Sequence, residues 1–223
     1  MEAAPPTAVV FDFDLTLVDS SEGVVECANH ALAALGFEAA DAKGIRRTIG
    51  LTLPQSFRAL TGVTDAELES NYSRHYVARA DEVMVSMTHF YPGVPATLAT
   101  LRSRGIRSGI VSTKFRYRIE SILAHAGLEN AVDVIVGGED VKQHKPHPEG
   151  LLYALQCLDV DPSCAVYVGD HPVDAETAAR AGTAFVAVRT GVAPLETWNA
   201  CRPLGVIADV GELGDLLDGA GRR

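Results

Sequence analysis

Two carboxylates two positions apart, Asp12 and Asp14, close a short apolar run at residues 8–11. The run is brief and β-branched, as a buried parallel strand is. Side chains alternate along a strand, so the two acids share a face if the extended conformation continues that far. Carboxylates so close repel unless a cation lies between them or one takes up a proton. A strand followed by an acidic turn is the bland alternative, and partners further along the chain argue against it. Ser112 and Thr113 follow an apolar run at 106–111. Lys145, in Lys145-Pro146-His147-Pro148, follows a run at 132–136 after a loop. Asp170 and Asp174, in Gly169-Asp170-His171-Pro172-Val173-Asp174, follow a run at 165–168. Carboxylates, a hydroxyl and an ammonium together suit a hard divalent cation and a phosphoryl group.

The elements that must position these residues fall into two blocks. Residues 20–85 read as helices without a strand. Ser20 or Ser21 caps the first, which runs through Val24, Ala28, Ala31 and Leu35 to Gly36. Asp41 starts a second, and Pro54 sits in the first turn of a third. Thr64-Asp65-Ala66-Glu67 opens a fourth running toward Asp81. From the turn Tyr91-Pro92-Gly93-Val94 onward, strands alternate with helices, the later strands falling at 106–111, 132–136, 165–168 and 184–188 and the last helix near 211–217. Alternation of this kind implies an α/β fold with a doubly wound, mainly parallel sheet. In such a sheet all the polar clusters lie on one edge, beyond the carboxyl ends of the strands. The helical block interrupts the pattern after the first strand. The expected organisation is a core of 1–18 and 86–223 with an inserted helical cap at 19–85.

Composition narrows the function. The 223 residues carry 19 basic against 29 acidic side chains, a net charge of −10, which argues against binding a nucleic-acid backbone. Hydrophobic residues make up 47% and mean hydropathy is +0.10, enough for an ordinary core. No segment approaches the ~18 uninterrupted apolar residues of a membrane span, and the start lacks the basic and apolar regions of a secretion signal. Cys27, Cys157, Cys164 and Cys201 form no C-x-x-C pair and no disulfide framework; they are expected to be small apolar fillers. A cytoplasmic protein without a membrane or nucleic-acid partner is the expectation.

Asp12-x-Asp14-x-Thr16, Ser112 after a strand, Lys145-Pro146 and Gly169-Asp170-x-x-x-Asp174 each say little alone. In this order, across essentially the whole chain, they make it resemble the haloacid dehalogenase-like (HAD) superfamily, in its phosphatase branch with a helical cap. Ser112-Thr113-Lys114, Lys145-Pro146-x-Pro148 and Tyr91-Pro92-Gly93-Val94 make it similar to the phosphoglycolate phosphatase-like members. The resemblance implies Asp12 as nucleophile through an aspartyl-phosphate and Asp14 as the acid and base at the leaving oxygen and water. It implies that Thr16 steadies the first loop at the phosphate, that Thr113 is either a phosphate contact or a plain loop residue, that Ser112 donates a hydrogen bond to the phosphoryl group, and that Lys145 is its charge partner. Mg2+ would be held by Asp12, Asp14 and Asp170, with Asp174 binding directly or through water. Leu15 stands where many family phosphatases carry Gly, and His171 where Ser is frequent.

In the cap, Arg47 of Ile45-Arg46-Arg47-Thr48 is the candidate reader of the substrate's second anionic group; surface charge is the equal alternative. Lys114 and Arg116 carry the same pair of readings. The expected reaction is Mg2+-dependent hydrolysis of a small phosphorylated metabolite, phosphoglycolate first. Pyrophosphate, a sugar phosphate and a nucleotide are the competitors, and a catalytically silent phosphate-sensing or partner-binding module is the reading from another class.

Overall fold

The computed structural model describes residues 5–220, the last by its backbone alone. Two compact units divide the chain, one of residues up to Val18 and from Phe90 onward, the other Asp19–His89. Strand β1 (Ala8–Phe11) comes first, and β2 (Val18–Asp19) lies where the chain passes from the first unit to the second. Then come β3 (His89–Phe90), β4 (Arg107–Val111), β5 (Val134–Val136), β6 (Ala165–Gly169), β7 (Ala184–Val188) and β8 (Gly205–Ile207).

Six of these form one parallel sheet in the order β5-β4-β1-β6-β7-β8. β1 lies in the middle, its Phe11 opposite Ile110 on one side and Val168 on the other, and all four of its residues are buried. Covered on both faces, it can be apolar at every position, hence Ala-Val-Val-Phe rather than an alternating pattern. The chain winds outward from β1 through β4 and β5, then crosses to β6 and winds the other way. The reversal leaves a crevice beyond the carboxyl ends of β1 and β6.

Helices α7 (Glu149–Leu158) and α8 (Pro172–Ala181) cover one face. Register puts Val10, Tyr167 and Phe185 in one row across β1, β6 and β7, and this row packs with Leu151, Leu155, Ala178 and Trp198. Tyr91, just past β3, donates its N–H to Leu17 O at 3.0 Å, tying together the two points where the chain leaves and rejoins the core.

The second unit holds α1 (Ser21–Ala34), α2 (Ala42–Arg46), α3 (Leu53–Thr61) and α4 (Ala66–Val83). Its caps follow the sequence closely. Thr52 and Gln55 form a capping box, Asp41 accepts from Gly44 N, and Asp65 accepts from Glu67 N and Leu68 N. At α1 the acceptor is neither serine: Asp19 takes the Ser21 N–H at 2.9 Å. Phe57 packs edge-on against Phe37 and tilted against Tyr72, giving this unit an aromatic centre of its own.

Two findings depart from expectation. β8 has three residues, begins at a glycine and exposes Val206, too short and too mixed a stretch to carry a strand pattern. Cys157, Cys164 and Cys201 are exposed and only Cys27 is a buried filler. No disulfide joins any of the four.

Candidate active site

β1 delivers Asp12 and Asp14 to the crevice, β4 delivers Ser112, Thr113 and Lys114, and β6 delivers Asp170. The loop after β5 brings Lys145, and the first turn of α8 brings Asp174. Lys145 is the hub. Its ammonium lies 2.9 Å from Asp12 Oδ2 and 2.7 Å from Asp174 Oδ1, with its side chain 4% exposed. Burial works against that charge, yet Asp12 and Asp174 together hold its pKa well above the ordinary lysine range.

Asp12, Asp170 and Asp174 each offer a carboxylate oxygen, and the three lie within 4.8 Å of one another. All three are buried. Burial first, then the charge of Asp174, pushes Asp12 up to about 6 against the pull of Lys145. Asp170 is raised well above the carboxylate range by burial and by the charges of Asp174 and Asp12. Three crowded carboxylates, only two of which share an ammonium, are a donor set that a hard divalent cation relieves. The residues present therefore fit Mg2+, and Asp12 and Asp170 keep acceptor capacity for it. Asp174 is more fully engaged: Oδ1 accepts from Lys145 and lies 3.4 Å from the Tyr167 hydroxyl, while Oδ2 accepts from His171 N at 3.0 Å.

Local structure fixes each acid. Phe13 N donates to Asp12 Oδ1 at 2.7 Å, and Asp12 N donates to Val168 O at 2.8 Å. Thr16 Oγ1 donates to Asp170 Oδ1 at 3.0 Å, so its hydroxyl serves an acid rather than standing ready for phosphate. Leu15, between Asp14 and Thr16, is buried at a left-handed φ of +58°, a conformation that costs an L side chain about 1–2 kcal/mol. Its N–H reaches Val18 O at 2.7 Å and its carbonyl accepts from Thr190 Oγ1, which hold the turn closed. His171 fills the Ser position as a helix cap. Its Nδ1 accepts from Val173 N at 3.2 Å, and burial, with Lys145 nearby, lowers its pKa.

The other expected residues separate clearly. Ser112 is buried beside this cluster, its hydroxyl accepting from Lys114 N at 3.3 Å. Thr113 is half-buried on the same loop. Lys114 turns inward, its side chain 6% exposed and its ammonium 3.0 Å from Asp14 Oδ1. Arg116 is exposed and pairs with Asp140 at 3.0 Å. Arg47 is exposed at the end of α2, in the other unit.

Three residues of this site escape sequence reasoning. Tyr167, a fully buried phenol inside Val-Tyr-Val, donates to Val111 O at 3.1 Å and meets both Lys145 and Asp174 at 3.4 Å. Its signal was an aromatic with a polar tip in an otherwise aliphatic strand. Thr190 and Gly191, after β7, left no signal. Gly191 packs so tightly over Asp170 that a Cβ would overlap its carboxylate. Gly191→Ala is therefore expected to destabilise the protein by about 1–3 kcal/mol, measured by urea unfolding. A stability within 0.3 kcal/mol of wild type, roughly the noise of such comparisons, would contradict this close packing.

Known proteins place the chain. The family model described as haloacid dehalogenase-like hydrolase matches residues 9–188. A phosphoglycolate phosphatase of Cupriavidus necator is 37% identical over 198 residues, 85% of this chain and 83% of that protein. A pyrophosphatase of Bacillus anthracis is 32% identical over 205 residues, 91% of this chain and 93% of its own length. Among solved structures, a haloacid dehalogenase-like hydrolase of Bacteroides fragilis superposes with a TM-score of 0.90 at 42% identity, covering 93% of this chain and 99% of the other. The chain belongs to the haloacid dehalogenase-like hydrolase family and groups with that family's phosphatases.

Proposed function

We propose that the protein is a Mg2+-dependent phosphatase that removes phosphate from a small metabolite, with 2-phosphoglycolate its first candidate substrate. The observation that carries this reading is the buried cluster of Asp12, Asp170 and Asp174 bridged by Lys145. Asp12, at the end of β1 with one oxygen fixed by Phe13 N, attacks phosphorus and carries the phosphoryl group as an aspartyl-phosphate. Asp14 protonates the leaving oxygen and then takes a proton from the hydrolytic water. Ser112 donates to the phosphoryl oxygens, with Thr113 beside it, and Lys145 neutralises charge on Asp12 and the transferring group. Thr16 and Gly191 keep Asp170 in place.

Asp12, the Asp14 backbone carbonyl and Asp170 would hold Mg2+, with Asp174 acting through water. When bound, Mg2+ supplies charge neutralisation for the phosphoryl group. Asp174 also holds Lys145 and His171 N with its oxygens, which fixes the ammonium that faces Asp12 and leaves Asp174 to reach the metal through water. Arg47 is retained as a candidate contact to the substrate's distal group.

Pyrophosphate is the second candidate substrate, since a 32% identical relative is named for it. A silent phosphate-binding module is disfavoured because none of the four motifs has lost its reactive group. A cytoplasmic enzyme fits the composition, and among the described residues no helix is long and apolar enough to cross a membrane. The test is phosphate release from 2-phosphoglycolate and pyrophosphate with Mg2+, before and after chelation with EDTA. Release that EDTA abolishes and fresh Mg2+ restores is expected. Release unaffected by EDTA would sink the metal assignment, and no release across a panel of phosphorylated metabolites would sink the phosphatase reading.

A further inference from the structure

Two lysines enter the crevice, and they serve different acids. Lys145 pairs with Asp12, the acid that meets phosphorus; Lys114 pairs with Asp14, the acid that meets the leaving oxygen. Lys114 is held as firmly as a designed contact. Its side chain is 6% exposed, its N–H donates to Ser112 Oγ at 3.3 Å, and its carbonyl accepts from Gly138 N at 3.0 Å. A lysine side chain gives up roughly 2 kcal/mol of rotamer freedom when ordered, so a buried one needs a lasting partner.

We infer that Lys114 reads the leaving group: it selects phosphoesters and phosphoanhydrides whose departing fragment carries its own anion, a carboxylate or a second phosphate, next to the scissile oxygen. The inference rests on the phosphatase reading above. Asp14 must come within about 3.2 Å of the leaving oxygen to protonate it. Lys114 Nζ stands 3.0 Å from the same carboxyl group. The ammonium thus falls within about 6–8 Å of the scissile oxygen on the departing side. A carboxylate two bonds beyond that oxygen, hydrogen-bonded to the ammonium, spans this gap. So does the distal phosphate of pyrophosphate. A neutral alcohol leaving group leaves Lys114 with Asp14 alone and gains nothing from it.

The test compares 2-phosphoglycolate with 2-hydroxyethyl phosphate, which keeps an alkyl leaving oxygen and replaces the carboxylate by a neutral hydroxymethyl group. Wild type should prefer phosphoglycolate in kcat/KM. Lys114→Met and Lys114→Gln should reduce that preference by about tenfold or more, chiefly through the KM for phosphoglycolate, and Lys114→Arg should restore part of it. Equal losses of kcat on both esters, with the preference intact, would overturn the inference and leave Lys114 as a support for Asp14. A wild-type enzyme without any preference would overturn it using no variant at all. Failure of wild type to hydrolyse either ester, or any other phosphorylated metabolite, would instead overturn the phosphatase reading, and this inference with it.

Discussion

Asp12→Asn should lower kcat by a factor on the order of 10^4–10^6 while leaving the fold intact. The size follows from the proposed role: with Asp12 as the nucleophile, an amide just past β1 could not form the covalent intermediate. The fold should survive because asparagine keeps the shape and can still accept the Phe13 N–H on its amide oxygen. Lys145 would retain Asp174 at 2.7 Å. The substitution also removes a charge that the metal-free protein bears at some cost. With a native pKa near 6 against an ordinary 3.8, Asp12 binds its proton more tightly folded than unfolded. That excess proton binding makes stability fall as pH rises from about 4 through about 6. Asp12→Asn should flatten this part of the curve. Urea unfolding of both proteins in EDTA at pH 4, 6 and 7.5 measures it, and phosphate release gives the rate. Comparable turnover by wild type and variant would remove Asp12 from the mechanism.

Lys145→Met should cost about 3–5 kcal/mol of stability near pH 8, because it leaves two buried carboxylates facing each other without their shared cation. The same change should cost distinctly less at pH 5, where the raised pKa of Asp12 lets it take up a proton and end the repulsion. Activity should be lost at either pH. Unfolding of variant and wild type at the two pH values checks the sign. A penalty that is the same at both, or larger in acid, would mean that Lys145 matters through packing of its stem rather than through charge.

Much of the site was legible because it is written at strand ends. Asp12, Ser112, Lys145 and Asp170 each follow a short apolar run or the loop after it, and parallel topology gathers such positions on one edge without any need to know contacts. The winding pattern was legible for the same reason: apolar runs of four to six residues between helical stretches leave few alternatives. β8 was not, because an edge strand of three residues has no period to detect. Lys114 was ambiguous, since one charged residue beyond a motif looks the same in sequence whether it turns inward or outward. Only its 3.0 Å contact with Asp14 separates the two. Leu15 stands where many family phosphatases carry Gly, and this leucine adopts the very conformation a glycine would take freely, at φ +58°. Gly191 acts through its close approach to Asp170, which no local pattern encodes, and Tyr167 left only the faint signal of a polar-tipped aromatic in an aliphatic strand.

The central place of β1 bears on how the protein is made. β1 pairs with two neighbours that leave the ribosome much later than it does, at residues 107–110 and 165–168. Until residues 165–168 have left the ribosome, Ala-Val-Val-Phe and the acid that follows it have no complete slot. Such late, long-range pairing slows folding and leaves an apolar strand waiting in the open. A chain stalled before β6 should therefore be prone to aggregate and unable to assemble its carboxylate cluster, so that the arrival of β6, rather than formation of any single motif, brings the acids together.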